Sequence, residues 1–219
     1  MPLLTDRTEA GQRLAERLSD LRVADALVLA LPRGGVPVAV EIARALDCPL
    51  DLLLVRKVGL PGYPELAIAA VSGPEGQDLV VNEALLTAVG LSLHEIDALA
   101  EKERAELARR RRLWQLGAEV PVSGRTVILV DDGMATGTTM LAALQSLRAL
   151  KPARIVVALP VAATSALALV RPLVDRIECL AEPEPFVAVG AHYDQFPQVP
   201  DETVGELLTD WRKRGHRPH

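Results

Sequence analysis

Residues 127–139 read VILVDDGMATGTT, and the order of residue types in that stretch says more about the chain than any other. The run from Thr126 to Val130 is almost uninterruptedly apolar, the pattern of a strand buried on both faces. It delivers two carboxylates, Asp131 and Asp132, into a turn of glycine and threonine that opens a helix expected over 138–150. Parallel sheets bind their ligands at this end of their strands. There the backbone N–H groups of Ala135, Thr136, Gly137, Thr138 and Thr139, the three threonine hydroxyls and the helix dipole can together enclose a phosphate dianion. The turn lacks the lysine of a GxxxxGK[ST] loop and no GxGxxG follows either strand, which sets aside a nucleotide γ-phosphate site and a dinucleotide site. Carboxylates accept hydrogen bonds from sugar hydroxyls, so a ribose carrying a 5′-phosphate satisfies both the acids and the pocket.

Working outward, four more apolar stretches read as buried strands: 26–31, 50–55, 153–159 and 177–181. Between the first two lies a helical pattern over 36–46, with Val36, Ala39, Val40, Ala43 and Leu46 on one face and Glu41 and Arg44 opposite. This is a βαβ unit, and Thr126 through the strand at Ile155 is a second one, its helix stopped at Lys151-Pro152. The alternation predicts an α/β fold with a mostly parallel, Rossmann-like sheet flanked by helices. An N-terminal helix is expected over 5–21 behind Asp6-x-x-Glu9, and a longer one over 92–117 behind Ser92-x-x-Glu95. Near the end of the latter stands Arg109-Arg110-Arg111-Arg112, which could bind RNA or phosphate; consecutive helical residues point around the whole cylinder, however, and Glu106 is spaced to pair with Arg110. A solvated helix end is the better reading.

Composition bounds the rest. A chain of 219 residues, 49% hydrophobic and 24% charged, reads as one domain able to build its core without disulfides. Cys48 and Cys179 each sit in an apolar stretch, as small core residues, and their use fits a reducing cytoplasm. Charged residues interrupt every candidate span of about 18 apolar residues, which argues against membrane insertion. A net charge of −5 argues against a dedicated nucleic-acid binder. The four histidines, His94, His192, His216 and His219, have no zinc-site spacing.

The apolar run, acid pair and Ala-Thr-Gly-Thr-Thr turn of 127–139 resemble the signature of the type I phosphoribosyltransferases, which bind phosphoribosyl pyrophosphate (PRPP). Two further segments resemble that family in chain order. Leu31-Pro32-Arg33-Gly34-Gly35 is similar to its pyrophosphate loop, which implies that Arg33, Gly34 and Gly35 meet the leaving diphosphate. Residues 56–62, RKVGLPG, resemble the mobile loop of adenine phosphoribosyltransferases; Arg56 and Lys57 would then face the diphosphate, with 57–65 closing over the substrates. The continuation AIAAVSG after Leu66 departs from that subfamily. Residues 186–194, FVAVGAHYD, resemble the hypoxanthine-guanine enzymes, which implies that Phe186 stacks on a base and Asp194 helps bind Mg²⁺, the ion being otherwise held by PRPP and water. Phe186, Tyr193 and Phe196 could equally fill a small core cluster.

The resemblance implies a domain over 1–219, with a core at about 22–180, an inserted helix at 92–117 and a C-terminal hood at about 181–219. Its activity would be a Mg²⁺-dependent phosphoribosyl transfer to a nitrogen acceptor, a purine-like base, with Asp131 and Asp132 on the ribose hydroxyls and Arg33, Lys57 and Mg²⁺ on the leaving group. The partners implied are PRPP and a nucleobase, not nucleic acid or membrane, and a homo-oligomer is compatible. A PRPP-sensing regulator of the same fold is the alternative reading.

Overall fold

The computed structural model describes residues 3–73, 76–117 and 120–213. Its elements follow in chain order: α1 (Arg7–Arg17), β1 (Ala26–Ala30), α2 (Gly35–Leu46), β2 (Leu50–Leu52), β3 (Val55–Leu60), β4 (Tyr63–Ser72), β5 (Asp78–Val81), α3 (Glu83–Val89) and α4 (Leu93–Leu113). Then come β6 (Thr126–Val130), α5 (Thr138–Ala149), β7 (Arg154–Val161), α6 (Thr164–Val170), β8 (Arg176–Ala181) and α7 (Asp201–Lys213). Five strands pair in parallel in the order β2-β1-β6-β7-β8. These are the five stretches that hydrophobicity marked as strands.

Both faces of that sheet are covered at its centre, which is why β1, β6 and β7 carry no polar alternation, whereas the edge strand β8 alternates Arg176 and Glu178 with Ile177 and Cys179. Val28, Ile128, Val130 and Val156 point into one core layer with α1, α2, α4 and α7; Leu27, Leu29, Val127, Leu129 and Val157 point into the other with α5 and α6. The register Ala26↔Thr126 to Ala30↔Val130 brings the carboxyl ends of β1 and β6 side by side. Whatever follows those two strands must therefore meet.

The second sheet, β3-β4-β5, is antiparallel. Here the sequence reading is corrected: residues 55–60 form a strand paired with β4, and 56–62 is not a free loop. Val58, Ile68 and Val71 are buried in the first core layer, so this hairpin is anchored by packing.

The expected helix over 92–117 starts and ends slightly tighter, as α4, behind a complete capping box at Ser92 and Glu95. Ile96, Ala100 and Leu107 are buried along its inner face, while Leu93 is exposed. Glu106 takes hydrogen bonds from Arg109 and Arg110, and the two guanidinium groups hold its carboxyl down to about 2. The arginine run is thus in part tied to its own helix. Burial pushes the Cys48 and Cys179 thiols up to about 12 and about 11, in keeping with core residues. In the hood region, residues 189–196 touch the turn after β6, whereas α7 buries Val204, Leu208 and Trp211 in the first core layer. No helix among the described residues is long and apolar enough to cross a membrane.

Candidate functional site

The site is built where the loops after β1 and β6 touch. Leu31 donates its amide to the Val130 carbonyl at 2.8 Å, and Gly35 donates to Leu31 at 3.1 Å, starting α2 directly. A Cβ on Gly34 would overlap the Asp132 carboxylate, and one on Gly35 would stand 2.6 Å from the Val130 carbonyl oxygen. Gly34 has an ordinary right-handed backbone, so the reason for glycine here is space. The Gly34-Gly35 backbone is thereby pressed against the acid pair.

Beyond the acids, the turn is anchored on one side and open on the other. Met134 donates to the Val161 carbonyl and accepts from Ala163, each at 2.9 Å, which pins the turn to the end of β7. Gly137 has φ 76, the left-handed conformation that favours glycine, and begins α5 with no side-chain cap. Among the described residues no backbone carbonyl accepts from the amides of Ala135 to Thr139. The Thr136 and Thr138 hydroxyls stand 3.1 Å apart at the same turn. Uncapped donors at a helix N-terminus are a site for an anion.

The two carboxylates differ in their surroundings. Asp131 accepts the Asp132 amide at 2.9 Å, and burial together with the neighbouring Asp132 charge holds its carboxyl well above the usual range. On Asp132 burial acts in the same direction, but Arg7 opposes it: Nε and Nη2 both lie 2.8 Å from Oδ2. Tyr193 fixes the same residue from another side, its hydroxyl donating to the Asp132 carbonyl at 2.7 Å.

The basic residues are placed less simply. Arg33 reaches Asp201 at the start of α7, with 3.8 Å between Nη1 and Oδ1. Arg56 donates to Glu103 of α4 at 2.7 Å, so its guanidinium ties β3 to that helix. Lys57 lies opposite Ala70 in the hairpin. Among the described residues no hydrogen bond or ion pair joins Arg56 or Lys57 to the turn at 131–139. Phe186 is half-buried, its ring 5.3 Å from that of His192, while Tyr193 and Phe196 pair at 4.8 Å. Asp194 is exposed and donates its amide to Leu4 at 2.8 Å.

Mg²⁺ fits these residues in one manner. No group of three or more His, Cys, Asp or Glu side chains converges among the described residues. The ion commonly keeps its waters and takes one or two carboxylates plus substrate phosphate oxygens, so an exposed Asp194 suits it. Two cavities lie away from this turn: about 520 Å³ between α1 and α2, and about 480 Å³ between the end of α4 and α7, bordered by Asp201. Arg7 was not picked out by sequence reasoning. One signal was available, since a cation in the first turn of a helix opposes the macrodipole and calls for a partner.

Residues 5–195 match the model of the phosphoribosyl transferase domain family. TT1426 from Thermus thermophilus is 42% identical, and its crystal structure aligns with a TM-score of 0.86 over 95% of this chain and 98% of that one. Rv0571c from Mycobacterium tuberculosis (strain H37Rv), provisionally named a phosphoribosyl transferase, is 41% identical over 218 residues, 99% of this chain and 48% of the relative. MT0597 from strain CDC 1551 matches to the same extent. The chain therefore spans about half the length of the curated relatives it matches.

Proposed function

The chain belongs to the phosphoribosyl transferase family, and from that premise we propose that it moves the 5-phosphoribosyl group of PRPP to a nitrogen of a purine-like base, releasing pyrophosphate. The observation that carries this reading is the set of unpartnered amides at 135–139 beside Asp131 and Asp132, with the bare backbone of Gly34 and Gly35 against them. The amides and the Thr136, Thr138 and Thr139 hydroxyls take the 5′-phosphate. Asp131 and Asp132 accept from the ribose hydroxyls and favour the positive charge that grows on the ring as the glycosidic bond lengthens. Arg33 leaves its long, partly exposed pairing with Asp201 to meet the diphosphate. Lys57 serves the same leaving group from the hairpin, and Phe186 offers its ring to the base. Asp194 would help hold Mg²⁺, which when bound would supply neutralisation of the leaving group's charge.

A second reading has one observation in its favour. Arg33 and Arg56, two of the cations assigned to the diphosphate, are both engaged by carboxylates, Asp201 and Glu103. A regulator that senses PRPP without turning it over would tolerate this. Incubation with PRPP, Mg²⁺ and adenine, hypoxanthine or guanine separates the two: pyrophosphate release dependent on a base is expected, and saturable PRPP binding with no release for any acceptor would favour the regulator.

A further inference from the structure

Arg7 opens α1 and is one of few charged side chains removed from solvent, at 8% exposure. A buried guanidinium at the positive end of a helix is doubly disfavoured unless something specific holds it. Each of its three side-chain nitrogens has a partner here. Nε and Nη2 converge on Asp132 Oδ2, Nη1 donates to the Pro197 carbonyl at 2.9 Å, and the guanidinium carbon stands 3.8 Å from the centre of the Phe196 ring. Phe196 packs on Tyr193, whose hydroxyl returns to the Asp132 carbonyl. The contacts close a ring through Arg7, Asp132, Tyr193 and Phe196. Gly34 bounds the Asp132 carboxylate on a further side.

We infer that Arg7 is a positioning residue of the ribose site: it fixes the Asp132 carboxylate by one oxygen, Oδ2, and so presents Oδ1, alongside Asp131, to the sugar hydroxyls. The inference rests on the proposed function for its ligand and on the contacts for everything else. A staple between α1 and the 193–197 segment could have been made with any acid on the surface. Instead the bond is made to the signature carboxylate, through two N–H groups of one planar fork that both meet Oδ2, which pins that oxygen from two directions where an ammonium would offer a single compact charge. The charged and titratable groups facing Asp132 are Arg7 from α1, Asp131 from its own turn and Tyr193 from the C-terminal segment, with Asp6 near the tyrosine.

The test uses the intact chain, with folding checked by circular dichroism. Calorimetric Kd values for ribose 5-phosphate should rise about tenfold in Arg7→Gln and about threefold in Arg7→Lys, which keeps the charge and loses the fork. Carboxyl NMR titration of the unliganded protein should show proton uptake by the Asp131/Asp132 pair moved up by about one pH unit or more in Arg7→Gln and little in Arg7→Lys. A folded Arg7→Gln with wild-type Kd and only a lowered Tm would make Arg7 a structural staple and overturn the inference. If Arg7→Gln does not fold, an unchanged Kd in Arg7→Lys overturns it equally. Absence of ribose 5-phosphate binding by the wild type would remove the proposed function instead, and the titration would then decide alone whether Arg7 governs the acid pair.

Discussion

The turn at 131–139 and the hairpin of β3 and β4 both carry family-like motifs, yet their chemistry is written differently. In the turn the groups proposed to act are backbone amides, short hydroxyls and carboxylates that directly follow a buried strand, so fixing the backbone fixes where they stand. In the hairpin they are Arg56 and Lys57, long side chains whose destination depends on other elements. Arg56 is held by Glu103, 47 residues away on α4. Function encoded in backbone shape survives translation from sequence to structure more directly than function encoded in long side chains.

The largest effect is expected where two backbones touch. Gly34→Ala would push the Asp132 carboxylate aside, and a displacement near 1 Å can cost about 100-fold, so turnover and ribose 5-phosphate affinity should both collapse in a folded protein. Steady-state assays with calorimetry read this. Arg33→Ala probes the side-chain half of the comparison: if Arg33 stabilises charge that develops only in the transition state, kcat falls about 100-fold while PRPP affinity falls much less. Equal loss in both would reduce it to a ground-state anchor.

A pH series sharpens the account of the acid pair. The Asp131 carboxyl is raised in the folded state by burial and by Asp132, so its ionisation opposes folding. Its favourable contribution is complete below the ordinary carboxyl value of 3.8 and is lost as pH rises through the raised folded value. Asp131→Asn should therefore raise Tm at pH 7 to 8, with the gain vanishing toward pH 4 and below, as scanning calorimetry would record. A gain that persists at low pH would mean the amide packs better for reasons unrelated to charge.

The smallest effect is expected at the hairpin's ion pair. Glu103→Gln should cost no more than about 1 kcal/mol of stability, because the pair is partly exposed, and should leave turnover unchanged if Arg56 is a tie between β3 and α4. Faster turnover in that variant would show that Glu103 restrains an arginine that belongs to the diphosphate site.

Legibility followed the range of the interactions concerned. The parallel strands were readable because β1, β6 and β7 are almost wholly buried and nearly unbroken in apolar residues, with β2 and β8 at the edges each keeping a short apolar run, and β6 with its turn was readable because small residues mark where chains meet. The β3-β4-β5 sheet was missed. Val55–Leu60 contains Arg56, Lys57 and Gly59, which mask its period, and Ala67 to Val71 is too short an apolar run to distinguish from a helix segment. Arg7 was missed because its partner lies 125 residues away, a separation that local patterning cannot bridge.

The most direct test of the central claim is calorimetric titration of PRPP, with Mg²⁺, into the wild-type chain and into the Asp131→Asn, Asp132→Asn double variant. The account predicts saturable, Mg²⁺-dependent heat for the wild type and its loss in a double variant that remains folded. A folded wild type that gives no heat with PRPP, or a double variant that binds as well as the wild type, would contradict it.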